Sequence, residues 1–484
     1  MVSGDDFLFV LHQIIIITLC IFLMYFSWRD QRALSYDPFE YTGLKFLFPL
    51  LVGIFLGVFG LLILEWGSIG IVLAFAFAFL ITFTIFDPKY GVSFFVFLLI
   101  SRPWEIFKDE MMASMPRDIF ILCFISFVGH KILRKQLYFQ WNGASAMVFL
   151  FALWTFFSII PSFQIVGALL NYNEIFIKGI IVYFLIVNVI EKKQFIKPIQ
   201  IALVLGISEK AIMSFYNSFF MGKVADGERL TSVGILENSN DIAAIMILAI
   251  PFTISFFKSI QTKILKYLLS ALVLVFYGYL IWQSKSRGAV LGLGTLAITM
   301  FWLKAKNKKI ASLIVVGGLL CSLGAMSLIQ RNSEDVEGST SNRKIYWTAA
   351  VNMGLRNPIF GVGYDGYPLN LFTYTNGHVG TEGRFKTAHS TWLLALAETG
   401  FVGAFFYVGI WIYAFRASWR MRFKRPEFLL AIISYGTAIT FLSHTYMLYP
   451  YILIGLTVAA GKFYSEDGEY IDSGVDPKLR LGDT

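Results

Sequence analysis

The sequence predicts an all-α, polytopic membrane protein with about 14–15 transmembrane helices and one large, partly helical outer loop. Three observations carry this expectation. Of 484 residues, 57% are hydrophobic, only 15% are charged and 17% are aromatic, with a mean hydropathy of +0.67. A soluble core cannot bury that much apolar surface. The apolar residues also fall into repeated runs of about 17–25, the length a helix needs to cross a bilayer and too long for barrel strands. Finally, the basic residues cluster in alternate loops. The net charge of +9 could suggest a nucleic-acid partner, but its placement in short loops between apolar runs argues for positive-inside orientation and against nucleic acid.

The runs fall at 7–27, 44–64, 69–86, 90–101, 117–133, 143–161, 174–190, 195–220, 241–258, 265–283, 288–303, 310–329, 391–415, 428–446 and 449–463. The fourth is short; without it, only the first three spans reverse direction. Arg29/Arg32, Lys131/Arg134/Lys135, Lys192/Lys193/Lys197, Lys258/Lys263/Lys266, Lys304/Lys306/Lys308/Lys309 and the group Arg416 to Arg425 alternate with poorly charged loops. With these facing the cytoplasm, every span fits: the N-terminus lies outside and the tail inside. No basic region precedes the first run and no small-residue cleavage site follows it, so no cleavable signal peptide is expected. Cys20, Cys123 and Cys321 sit inside apolar runs without metal-type spacing and read as packing residues. The expected organisation is N-terminal helices at 1–116, a core at 117–329, an outer loop at 330–390, C-terminal helices at 391–463 and a cytoplasmic tail at 464–484.

Four outer segments then matter: 101–116, 222–240, the corner at 284–288 and the long loop. The second carries Arg229, against the charge bias of that face. It ends in Asn238-Ser239-Asn240 before Asp241, a helix start with side-chain oxygens available to cap free N–H groups. For Asn238 and Asn240, capping alone competes with a role in a site. The corner reads SKSRG. Lys285 can snorkel on its flexible stem. Arg287, tight against Gly288, suits a planar fork aimed at phosphate.

Within the long loop, 332–342 is polar and expected to be flexible. A short helix is expected over 342–358, capped by Ser341 or Asn342 and stopped by Asn357-Pro358. A glycine-rich and aromatic turn follows at 360–370. Gly361, Gly363 and Gly366 match G-x-G-x-x-G in form, but no strand–turn–helix unit surrounds them, so a dinucleotide site is rejected. Tyr364, Tyr367, Phe372, Tyr374 and Trp392 could stack on sugar rings or pack the loop on itself. The loop closes on HSTWLLALAETG at 389–400, where His389 opens an apolar helix at its positive end. His389 reads either as a proton acceptor or as a helix cap or interface histidine.

Walker A, H-E-x-x-H, C-x-x-C and G-x-S-x-G are absent from the sequence. His378, His389, Asp365 and Glu382 match no metal-ligand spacing, so no metal is expected. Glu174, Lys178, Glu209, Lys210 and Glu398 are the ionisable residues of the spans, most near span ends, where transporters usually place charge deeper. Asp109-Glu110 leaves a metal-dependent glycosyltransferase as a minor alternative.

Arg229 before GILENSND, SRGA at 286–289, NPIFGVG at 357–363 and HSTWL with ETG at 389–400 together resemble the O-antigen ligase and O-antigen polymerase superfamily of bacterial inner-membrane proteins. The resemblance runs from about Arg117 to the last span. The chain departs from the family in having Asn238-Ser239-Asn240 where Asn-Pro-Asn is frequent, and in about three extra N-terminal spans.

The resemblance implies an inverting transfer, without metal or cofactor, of a glycan from undecaprenyl diphosphate to an acceptor hydroxyl on the outer face of the inner membrane. His389 would act as the base, with Arg229 and Arg287 clamping the pyrophosphate. Arg343, Asn238, Asn240, Tyr364 and Glu398 are possible secondary residues, and Arg356 a further phosphate contact. The implied partners are the lipid-linked donor, membrane lipid, and an acceptor that is another glycan, a lipid A core or a protein. A flippase or transporter of the same lipid-linked glycan, a protein O-oligosaccharyltransferase and a non-catalytic envelope-assembly partner remain as alternatives.

Overall fold

The computed structural model describes residues 84–85, 88–102, 105, 110–133, 138–224, 229–232, 234–258, 262–307, 309, 317, 333–375 and 386–464, with side chains of the 333–375 segment described from 342. The expected spans at 7–27 and 44–64, nearly all of those at 69–86 and 310–329, and Asp109, His378, Glu382 and the tail beyond Tyr464 lie outside these residues.

All regular elements of the described residues are helical: α1 (Pro88–Ser101), α2 (Glu110–Leu133), α3 (Gly143–Phe157), α4 (Ile165–Asn171), a π-helical turn (Tyr172–Phe176), α5 (Ile177–Val189), α6 (Ile196–Phe219), α7 (Ser239–Phe257), α8 (Lys263–Gln283), α9 (Arg287–Lys304), α10 (Ser333–Arg356), α11 (Tyr367–Tyr374), α12 (Thr391–Arg420), α13 (Pro426–Ile439) and α14 (Leu448–Gly461), with 3₁₀ turns at Lys193–Phe195 and Gly234–Leu236. Among the described residues, five helical segments are long and apolar enough to cross a membrane: Ile165–Val189, Lys193–Phe219, Ser239–Phe257, Lys263–Gln283 and Thr391–Arg420. Four shorter apolar helices accompany them, α1, α3, α13 and α14. The protein is an all-α, polytopic membrane protein.

The chain forms two compact units, residues 1–140 with 188–213, and 141–187 with 214–484. In the first, α1 is buried along nearly its whole length and packs on α2. Gly206 of α6 lets that helix approach α1, since an added Cβ would lie 3.0 Å from Ile100. This unit also holds charge deeper than the sequence suggests: Glu209 and Lys210 are buried, and Lys210 Nζ lies 3.7 Å from Glu105, which also pairs with Arg102.

In the second unit α14 is buried along its whole length, and α7 is enclosed by α8, α9 and α13. Small residues allow the close approach: an added Cβ at Gly292 of α9 would come within 2.9 Å of the Ser434 carbonyl on α13. α8 covers α7 with one face only and leaves Ile264 and Val275 81% and 71% exposed, as a lipid-facing helix does. α12 packs against α3, α10, α13 and α14.

Three differences from the sequence-based expectation concern helix ends. α10 begins at Ser333, about ten residues before the expected start, so Ser341 and Asn342 lie inside the helix and do not cap it. The expected span at 428–446 stops at Ile439. Its last residues turn away because their polar groups have partners elsewhere: Thr445 Oγ1 donates to the Thr391 carbonyl and Ser443 Oγ to Thr387. The span at 143–161 likewise ends at Phe157, and Ser158 is drawn into contacts with the loop at 358–364.

Candidate active site

The candidate residues all belong to the second unit, and a hydrogen-bonded cluster of helix ends organises them. Asn238 caps α7: its side chain accepts from the Asn240 amide at 2.9 Å. Asn240 does something different. Its Oδ1 accepts from Arg229 Nη2 at 2.9 Å, while Arg229 Nε donates to the Ser284 carbonyl at 2.9 Å. One guanidinium therefore bridges the start of α7 and the corner that carries Arg287.

That corner is tight. Ser284 caps the end of α8, Lys285 takes a left-handed backbone (φ 49°), and Ser286 caps α9 by accepting from the Ala289 amide at 3.3 Å. Arg287 is the first residue of α9 and is half-buried. Its Nε is enclosed and has no hydrogen-bond partner among the described residues. A buried, unsatisfied donor is costly unless something else meets it. Gly288 brings the corner against the end of α13, with an added Cβ 3.4 Å from the Ala438 carbonyl and Phe441.

His389 is half-buried and also left-handed (φ 47°), a conformation that non-glycine residues adopt only when surrounding structure holds them there. It is not the helix cap: Ser390 is, accepting from the Leu393 amide at 3.5 Å. The His389 carbonyl accepts from Trp347 Nε1 at 3.4 Å, and its ring lies 5.9 Å from that of Tyr346. Burial lowers the imidazole to about 4; the positive charge of Arg343 on α10 and, less strongly, of Lys386 pushes the same way, and Asp241 opposes them. Burial is the main cause of the neutral ring. Arg343, half-buried on α10, is close enough to His389 to act on its charge.

Glu398 and Tyr364 have a different place. The 357–367 loop wraps a break in α12 at Gly400 (φ 66°). The Val362 amide donates to the Ala397 carbonyl and the Phe401 amide to the Pro358 carbonyl, each at 2.8 Å, so loop and broken helix satisfy each other's backbone. Trp154 Nε1 donates to the Thr399 carbonyl at 3.0 Å and Ser158 Oγ to the Phe360 carbonyl at 2.6 Å. Gly361 is required here: φ is +65° and a Cβ would meet the Ala397 carbonyl at 2.3 Å. Glu398 is buried and accepts from the Tyr367 amide at 3.1 Å. Tyr364 is 3% exposed and packs edge-on against Tyr446, ring centroids 4.7 Å apart. The glycines of the G-x-G-x-x-G match thus serve a helix clasp. Tyr364 packs on Tyr172, Phe176 and Tyr446, aromatics from outside the loop, and buried Tyr367 donates its hydroxyl to the Tyr346 carbonyl, whereas Phe372 stays exposed. Arg356 lies over the Tyr374 ring at 5.5 Å.

Sequence reasoning passed over His444. It is fully buried; its Nε2 lies 2.9 Å from Asp241 Oδ1 and its Nδ1 2.8 Å from the Tyr435 hydroxyl. The available signal was a histidine flanked by Ser443 and Thr445 inside an otherwise apolar run.

With this geometry established, the comparison with known families is decisive for one part of the chain: residues 271–408 match the O-antigen ligase family. The matched segment resembles an O-antigen ligase domain. That domain spans the Arg287 corner, α10, the glycine clasp, His389 and the kink in α12, whereas Arg229, the asparagines and His444 flank it. It supports a glycan-transferase activity of the O-antigen ligase type, with lipid-linked glycan and acceptor as the general class of partners. No curated protein matches the chain.

Proposed function

We propose that this protein transfers a glycan from undecaprenyl diphosphate to an acceptor hydroxyl at the outer face of the bacterial inner membrane, by an inverting displacement that needs no metal. The acceptor oxygen attacks the anomeric carbon as the bond to the diphosphate oxygen breaks. His389 takes the hydroxyl proton. Arg229 and Arg287 hold the pyrophosphate and offset the charge that develops on it as it leaves.

The observation that carries the reading is the Arg229 bond to the Ser284 carbonyl. It supports two guanidinium groups acting at one corner, one already oriented by protein acceptors and the other with a buried Nε unmet. A neutral His389 beside the same cluster of helix ends supports its role as a base. The O-antigen ligase domain supports the reaction class.

The test is a reconstituted assay. Purified protein in lipid receives an undecaprenyl-diphosphate oligosaccharide, alone or with lipid A core, and products are sized on a gel. A ladder from donor alone indicates polymerisation; a shift only with lipid A core indicates ligation. No product under any acceptor condition, together with glycan crossing the vesicle membrane, overturns the proposal in favour of transport.

A further inference from the structure

Asp241 occupies the first turn of α7, yet it does not cap that helix; Asn238 does. Its carboxylate turns instead to His444. The carboxylate accepts from the His444 Nε2–H, and Nδ1 pairs with the Tyr435 hydroxyl at 2.8 Å. Both ring nitrogens are then used within the protein, and His444 has no proton-transfer site left to offer a substrate. Burying such a pair is costly compared with apolar packing, so its retention calls for a purpose.

Its surroundings supply one. The His444 amide donates to Thr391 Oγ1 at 3.0 Å, Thr391 Oγ1 donates to the Leu442 carbonyl at 2.7 Å, and Thr445 Oγ1 donates to the Thr391 carbonyl at 2.7 Å. Three bonds from one turn thus fix Thr391, two residues beyond His389 with its left-handed backbone. At the other end, Asp241 follows Asn240, which holds Arg229. A continuous path runs from Arg229 through Asn240, Asp241, His444 and Thr391 to His389.

We infer that Asp241 and His444 are positioning residues whose hydrogen bond fixes His389 relative to Arg229. This rests on the proposed role of His389 and extends it to two residues outside the matched domain. The bond, and not the charge of Asp241, carries the effect. A small displacement of a reacting group is enough to cost about 100-fold in rate.

Four variants test this: His444→Ala, His444→Gln, Asp241→Asn and the double Asp241→Ala/His444→Ala, each checked for folding by thermal unfolding. In the transfer assay His444→Ala is expected to lower kcat about 100-fold with donor KM within about 3-fold. His444→Gln, whose amide nitrogen reaches the Nε2 position, recovers most of the loss. Asp241→Asn keeps the acceptor and stays within about 3-fold of wild type, and the double variant is no worse than the single.

A second readout is independent of transfer: carbethoxylation of His389, followed by peptide mass spectrometry, rises several-fold in His444→Ala and is unchanged in Asp241→Asn. Unchanged His389 reactivity in folded His444→Ala overturns the inference even if no transfer is observed. So does a loss confined to KM, or a loss in Asp241→Asn as large as in alanine. By contrast, full transfer by His389→Ala sinks the base reading while the reactivity measurement still decides the positioning.

Discussion

The lowered basicity of His389 makes a quantitative prediction about pH. A free imidazole titrates near 6.5, where half of it is protonated and unable to accept a proton. Burial, aided by Arg343, moves the titration to about 4, so the neutral ring persists through pH 6.5 and below. With His389 as the base, kcat for transfer should stay level from neutral pH to about pH 5 and fall to half near pH 4. The direction can be perturbed on the same ring. Arg343→Gln removes a positive neighbour that disfavours the imidazolium, so the acid limb should move upward.

Linkage gives a matching stability effect. The unfolded chain takes up this proton near 6.5 and the folded protein only near 4, so stability is complete above the unfolded value. It then declines as pH falls through that window, by up to about 3 kcal/mol for the full displacement. The assay is initial-rate transfer in proteoliposomes across pH 3.5–8, with samples returned to pH 7 to separate reversible titration from denaturation. An acid limb at about pH 6.5 in the folded protein would refute the claim that burial governs this group. A downward shift in Arg343→Gln would refute the assigned cause.

Arg287→Lys keeps the charge but loses the planar fork, and should lower kcat at least about 10-fold; full activity in that variant would mean that charge alone suffices. Asn240→Ala frees Arg229 Nη2 from its acceptor and should weaken donor use, read as a higher KM with less change in kcat. Gly361→Ala places a methyl on a left-handed residue 2.3 Å from the Ala397 carbonyl; a fall of about 2 kcal/mol or more in stability is expected, visible as a lower thermal midpoint in detergent. Transfer should persist in strong chelator, and activity lost there and restored by a divalent ion would shift the assignment toward Asp109 and Glu110.

Several features of the site were legible in the sequence because they depend on local chemistry. The Ser-Lys-Ser-Arg-Gly corner reads as a helix break with an arginine at the next helix start, and Ser286 and Arg287 occupy those places. Asn238 reads as a cap and is one. The glycines at 361 and 363 announce unusual backbone, but their spacing alone resembles a phosphate loop; the clasp around Gly400 emerges only when residues about forty apart meet. Asn240 looks like a second cap and instead holds Arg229 across the loop. His389 looks like a cap next to Ser390, which takes that role.

What the sequence alone determined is the membrane-spanning, all-helical class; it nominated Arg229, Arg287 and His389 as candidates. Hydropathy and charge are summed along the chain, so a bilayer reads them without knowledge of the fold. What only the tertiary structure decided is which polar groups satisfy one another. Where the 428–446 run stops, that Asp241 faces His444, and that Tyr364 is buried all follow from contacts between distant segments. Once water is excluded, each buried donor or acceptor must find whichever partner the packing brings within reach, and sequence spacing does not specify that partner.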